Sequence, residues 1–363
     1  MRIRFEKRPD PSRTMLFLTP VLAVVLTMLI GIVLFQALGY DGLKTVEAIF
    51  FTPVLAAYKW QDVATKAAPL IIIALGLSLG NQAKVWNIGA EGQYVAGALG
   101  GAYVAYLTPG VTGSWVILAM IVAGAICGMA WAAVPAFLKT RYNVNEVLSS
   151  LMLVYVALQL MSYLITGPLK DPNGNNFPQT APFTEAQLMP HVLPGTFIPP
   201  GLIVAFVMML VFWLVVSKSV YGFDVKVIGA APSAARYGGF NAARTIWTTL
   251  LISGGMAGLA GILEASSQSG QINLGFASNY GFTAIIVSFL GRLHPVGVFV
   301  AGIVLAITSV GGQVAQTAVH VPSAAGGLSQ ALMLFLILAG DVLVRHRIRI
   351  VSSQANLAAG ERL

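Results

Sequence analysis

Residues 15–38 read MLFLTPVLAVVLTMLIGIVLFQAL, and Arg2, Arg4, Lys7, Arg8 and Arg13 precede them. An apolar run of this length crosses roughly 30 Å of hydrocarbon as one helix. It is too long for a signal-peptide core and has no small-residue cleavage site, so it reads as an uncleaved first span. Similar runs recur along the chain, which is 57% hydrophobic and only 9% charged, with a mean hydropathy of +0.80. A soluble chain of 363 residues cannot cover that much apolar surface. Helices are the expected solution, because hydrocarbon offers backbone polar groups no partner outside the span. The expected fold is all-α: a polytopic membrane protein of about ten transmembrane helices, some short or broken, in a single domain over 1–363.

Spans are expected near 15–38, 67–84, 93–107, 115–138, 146–166, 197–217, 246–266, 281–291, 296–315 and 327–344. With the N-terminus inside, the internal segments collect the leading basic residues, Lys84, Lys139, Arg141, Lys218, Lys226, Arg236, Arg244 and Arg292. The tail adds Arg345, Arg347, Arg349 and Arg362, and only Lys44, Lys59, Lys66 and Lys170 remain outside. That is a strong positive-inside bias, and it places both termini in the cytoplasm. The basic balance is therefore topological. It calls for a lipid bilayer as partner and for no nucleic acid. Cys127 is the single cysteine and lies in an apolar run, so there is no disulfide framework.

Outside the spans, 167–196 is expected as the external loop. Within it Thr184-Glu-Ala-Gln187 has capping-box spacing before Leu188, Met189 and Pro190, which predicts a one-turn helix at the outer surface. This is either an ordinary loop or a docking lip. In 41–66, Val46, Ile49, Phe50 and Leu55 suit an interfacial helix, and Tyr58 and Trp60 suit the headgroup belt. The second, third, eighth and ninth spans read as short or glycine-broken, hinting at an internal repeat around a central pathway. The pairs Gly76 and Gly80, Gly97 and Gly101, and Gly254 and Gly258 predict close helix packing.

The most distinctive segment is Val225-Lys-Val-Ile-Gly-Ala-Ala-Pro-Ser-Ala-Ala-Arg-Tyr-Gly-Gly-Phe240, within a cytoplasmic stretch over 218–245. Pro232 fits a first helical position, and Gly238 and Gly239 can end the helix in a left-handed turn. So short a helix is not stable alone in water and must dock on something. A second polar block, Asn87-Ile-Gly-Ala-Glu-Gly-Gln93, lies between two spans. Asn87 reads as a helix cap, Glu91 as complementing that helix's positive end, and Gly89 and Gly92 as permitting a tight reversal. This block is either a capped cytoplasmic turn or a broken-helix element at the inner mouth.

Ser78, Gln159, Ser253, Glu264, Thr283, Ser288, Gln313 and Gln330 are the other polar residues in apolar runs. Glutamine is costly in lipid, so Gln159 and Gln313 are expected to face protein or water. Intramembrane carboxylates suited to ion coupling do not recur. No catalytic residues are found, and the histidines lack metal-ligand spacing. There is no P-loop sequence, so a transport cycle driven by ATP needs a separate ATPase. Tyr94, Tyr155, Phe282 and Phe289 are aromatics able to stack on a base or merely to pack.

Three blocks together resemble a known family: Asn87 to Gln93, Gly229 to Gly239, and Tyr280-Gly-Phe-Thr-Ala-Ile-Ile-Val-Ser-Phe-Leu-Gly-Arg-Leu-His-Pro-Val-Gly297. The chain is similar to the permease subunit of bacterial ATP-binding-cassette (ABC) importers for branched-chain amino acids, ribose-like sugars and nucleosides. It looks most like the nucleoside or simple-sugar branch. The resemblance implies a ten-helix core and a coupling helix with Gly229, Ala234, Ala235, Arg236 and Gly239 at its contact points. It implies an inner-membrane location, with no cofactor on this chain and ATP and Mg²⁺ on partner ATPase subunits, separate or fused in tandem. The other implied partners are a second permease in a heterodimer and an external binding protein or lipoprotein. A ribose- or galactose-type permease, an ion-coupled carrier and a non-transporting membrane subunit are the rival readings.

Overall fold

A computed structural model describes residues 2–7, 13–113, 115–190, 199–322 and 324–351. The chain opens with strand β1 (Arg2–Lys7) and helix α1 (Arg13–Ala37), then α2 (Gly42–Phe50), α3 (Thr52–Leu55) and α4 (Trp60–Gln82). Next come α5 (Ala90–Leu107), α6 (Trp115–Tyr142), α7 (Glu146–Thr166) and α8 (Pro200–Lys218). The short α9 (Val220–Ala230) and α10 (Pro232–Tyr237) lead to α11 (Ala242–Glu264), and α12 (Tyr280–Leu290), α13 (Pro295–Ala318), α14 (Ala324–Arg345) and strand β2 (His346–Val351) follow. Helix dominates, as expected, and seven of these segments are long and apolar enough to cross a membrane. Helices α5, α12 and α14 lie where the other three spans are expected, but among the described residues they do not meet that length and apolarity. One addition is an antiparallel two-stranded sheet, in which Arg2 pairs with Val351 and Lys7 with His346. It brings both ends of the described chain to one side.

The layering follows from how each helix buries its surface. Helix α4 is apolar all round, and its membrane window is 83% buried, against 28% for α1, α6, α7 and α8. A helix buried on every side is the centre of a bundle, whereas the others turn apolar side chains to lipid. Packing around this centre depends on the expected glycines. A Cβ on Gly97 of α5 would lie 2.1 Å from Gly258 Cα, and one on Gly254 would lie 2.6 Å from Gly128 O. Helices α5, α6 and α11 thus meet backbone to backbone, which is how contact is gained where no hydrophobic drive exists.

Several expectations are corrected. The second and ninth spans are not short: α4 and α13 have 23 and 24 residues. Asp62 and Lys66 lower the local hydropathy of α4 without breaking it, because its first turns lie at one end of the bundle. The amphipathic stretch 41–50 packs its apolar face on protein where lipid was expected. In α2, Val46, Ile49 and Phe50 are buried, and the backbone of Ile49 rests on Gly311 of α13. Leu55, Tyr58 and Trp60 are exposed, consistent with a headgroup belt. The one-turn helix at 184–190 is a hydrogen-bonded turn instead. Thr184 N–H donates to Gln187 Oε1, but the Gln187 amide reaches away to donate to the carbonyls of Ala105 and Thr108 at the end of α5. The remainder of the expected 167–196 loop, from 191 on, lies outside the described residues.

Candidate functional site

The Asn87–Gln93 block forms a buried polar junction. Asn87 Nδ2 donates to Gln93 Oε1 at 2.7 Å and to Ser253 Oγ at 3.0 Å, and Gln93 Nε2 donates back to Asn87 Oδ1 at 3.0 Å. Asn87 is not the helix cap. That position is Gly89, whose N–H donates to Asn87 Oδ1 at 3.1 Å in a local turn. The reversal itself uses Lys84 in a left-handed conformation (φ 58°). Gly89 and Gly92 serve close approach to α7, since a Cβ on either would meet the α7 backbone near Ser150 or Val154.

Glu91 sits in the first turn of its own helix, as expected, and its carboxylate also serves the start of a second one. Its two carboxylate oxygens accept from Asn279 N–H at 2.9 Å and Gly281 N–H at 2.6 Å, at the beginning of α12. The first turn of any helix leaves such donors unpaired, and its dipole favours a negative charge there. Gln187 marks the far end of α5 at Ala105, about 21 Å along the helix from Glu91 at 1.5 Å per residue. Helix α12 therefore starts deep in the bundle, after the irregular stretch 270–279 has descended from the loop end. Non-helical backbone at this depth must be buried in protein or line a watery cavity. Part of 270–279 does each. Phe276 stacks on Tyr94 at 5.1 Å, with Tyr280 edge-on to Tyr94 at 5.8 Å, while Ser278 and Asn279 line a cavity.

That cavity has a volume of about 750 Å³ and lies among α12, α13, α14 and Lys66 of α4. Asn279, Phe282, Thr283, Gln313, Gln316 and Gln330 supply amide, hydroxyl and ring surfaces, and among the described residues no carboxylate lines it. Gln330 Nε2 donates to Thr308 Oγ1 at 3.4 Å. Glu264 and Asp62 are acidic groups that act electrostatically on Lys66. Of the four aromatics singled out, only Phe282 faces this space. Tyr94 is core, Phe289 stacks on Trp86 at 5.6 Å, and Tyr155 is exposed on α7. Gln313 lines the cavity as expected, whereas Gln159 points outward from α7. Gln316 was missed, although its three-residue spacing from Gln313 places both on one helix face. Among the described residues no group of histidine, cysteine and carboxylate side chains could hold a metal.

The 225–240 segment is not one helix. The backbone breaks at Ala231 (φ −145°, ψ 77°) and restarts with Pro232 in the first turn of α10. Gly239 then turns left-handed (φ 80°), as expected. Helix α9 is rooted in the bundle: Tyr221 Oη donates to Thr248 Oγ1 at 2.9 Å, and Lys226 Nζ to Val216 O at 2.7 Å. Burial pushes the Tyr221 phenol above its usual range. Gly229 sits against the end of α4, where a Cβ would lie 1.9 Å from Gln82 O. Helix α10 protrudes. Ala235 is buried against α9, whereas Ala234 and Arg236 are exposed and Tyr237 is 96% exposed.

Over residues 60–339 the sequence matches the family described as branched-chain amino acid transport system / permease component. The chain belongs to this family. The permease is 34% identical to the glucose ABC transporter permease protein of Haloferax volcanii over 359 residues, covering 95% of this chain and 94% of that one. It is 28% identical to the guanosine ABC transporter permease protein of Bacillus subtilis over 301 residues, 81% and 85% of the two chains. A nucleoside ABC transporter permease protein of Lactococcus lactis is 25% identical over 314 residues, 83% and 85%. No solved structure matches the permease. It is thus the membrane-embedded, multi-pass subunit of an ABC importer, a transporter component and not an enzyme.

Proposed function

We propose that this permease moves a neutral, polyhydroxylated solute, a nucleoside or a simple sugar, by alternating access, driven by an ATPase docked on α9 and α10. The observation that carries the cargo reading is the cavity. Its amides and hydroxyls can exchange hydrogen bonds with hydroxyl groups, and among the described residues it offers no carboxylate for a cation. The named cargoes of the relatives, glucose, guanosine and nucleosides, are of this chemical kind.

The positive-inside bias supports a cytoplasmic position for α9 and α10, together the arm, and for both termini, with the 167–190 loop outside, facing a binding protein or lipoprotein. ATP and Mg²⁺ belong on the ATPase, separate or tandem, because this sequence has no P-loop. A second, different permease is proposed to cover the open flank of the cavity and the exposed Tyr155, Gln159 and Tyr163 of α7, since glutamine facing hydrocarbon is costly. Each state of the cavity must contact the ATPase differently for ATP to shift it. The location is the cytoplasmic (inner) membrane.

The test is uptake by the complete importer in proteoliposomes with radiolabelled guanosine, uridine, ribose and glucose. ATP-dependent uptake of one class supports the reading. Uptake driven by a proton gradient without ATP, or no uptake of any of the four, overturns it.

A further inference from the structure

Helix α12 supplies one wall of the cavity through Asn279, Phe282 and Thr283, and side chains from neighbouring segments hold both its ends. Glu91 holds the start. At the other end Asn81 Nδ2 donates to Ser288 Oγ at 3.3 Å, and Gln82 Nε2 donates to Leu293 O at 2.7 Å. Leu293 lies in the turn joining α12 to α13, where Arg292 and Leu293 are both left-handed, with φ of 56° and 57°. Two successive non-glycine residues in that region are strained, and such turns persist only when their surroundings hold them. Gln82 is part of what holds this one.

Gln82 has a second contact. Its main-chain carbonyl is the group against which Gly229 of α9 is seated, too close for any Cβ. One residue therefore touches the arm with its backbone and the α12–α13 turn with its side chain. Packed contacts of this kind transmit displacement, because close-packed interiors have little free volume to absorb it.

We propose that Gln82 is a positioning residue for transport, passing movement of α9 and α10 into the α12–α13 turn and so to the cavity wall. This rests on the importer reading above. The residue touches neither cargo nor nucleotide.

The experiment compares wild type, Gln82→Glu and Gln82→Lys in the complete importer, reading co-purification of the ATPase, basal ATP hydrolysis and cargo moved per ATP. Glutamate keeps the size of the side chain but removes the donor to Leu293 O, while lysine keeps a donor. For Gln82→Glu the expected result is normal co-purification and hydrolysis, with transport per ATP down about tenfold, the weight of one hydrogen bond. Gln82→Lys should stay near wild type. Unchanged transport per ATP in Gln82→Glu overturns the proposal, as does lost coupling in Gln82→Lys. Loss of assembly in both variants makes the role structural and also overturns it. If wild type itself moves no cargo with ATP, the importer reading fails instead.

Discussion

Glu91 and Gly281 lie 190 positions apart, yet the Gly281 N–H meets the Glu91 carboxylate at 2.6 Å. With Asn279 on the other oxygen, this carboxylate satisfies the start of a half-helix deep in the bundle. Glu91→Ala leaves both donors without an acceptor and is expected to cost about 2–5 kcal/mol. Glu91→Gln keeps one acceptor oxygen and should cost about half as much. Thermal unfolding in detergent, followed by size-exclusion recovery, checks the ranking Ala worse than Gln worse than wild type.

The contact of α5, α6 and α11 has no room for side chains. Gly258→Val is expected to destabilise by at least about 3 kcal/mol, because even its Cβ would lie 2.3 Å from Gly124 O. Lower membrane yield and a reduced unfolding midpoint would show it. Gly327→Ala is the control, with nothing within 4 Å of the added carbon.

Arg236 is exposed on the protruding α10, where a reversal of charge costs the fold nothing. Arg236→Glu is expected to insert at wild-type levels, lose the ATPase in pull-down and abolish uptake. Retained association together with retained uptake would remove α10 from the docking surface.

Phe282 is the aromatic that faces the cavity. If the cargo is a nucleoside, Phe282→Ala is expected to lower its uptake about tenfold, the worth of stacking on one base at about 1–3 kcal/mol. Sugar uptake should move much less. Competition between guanosine and ribose in the same vesicles measures the difference directly.

Asp41 caps α2, accepting from Lys44 N–H at 3.1 Å, and this bond with the Lys44 charge holds its carboxyl below the ordinary range. Because the folded value is the lower one, the stabilisation is complete above the unfolded value of about 3.9 and is lost as pH falls through the folded value. The protection factors of the amides in 42–50, which remove the intrinsic pH dependence of exchange, should therefore fall in acid. In Asp41→Ala they should be low at every pH.

The spans were legible because each is a local property: a run of apolar residues, with basic residues at its flanks. Gly239, Pro232 and the glycine pairs were legible for the same reason, since backbone conformation and small size are visible in one residue. Glu91 suits the start of its own helix, and that much is local, but its carboxylate also serves α12, and nothing near position 91 names position 281. Gln187 closes half of the capping box by accepting from Thr184 N–H, and its amide also reaches the carbonyls of Ala105 and Thr108 at the end of α5, a contact that its local spacing does not announce. Val46, Ile49 and Phe50 show an apolar face that lipid and α13 would satisfy equally well.

From its own residues the sequence determined a polytopic helical bundle, its basic-residue asymmetry and the short helical arm within 225–240. Hydrocarbon compels every backbone group to find its partner within the span, so the span pattern has to be written locally. The tertiary structure alone decided where α12 begins, which polar residues share the cavity, and that Gln82 touches both arm and turn. Those depend on side chains from distant segments meeting at one depth, a relation that no stretch of the chain contains.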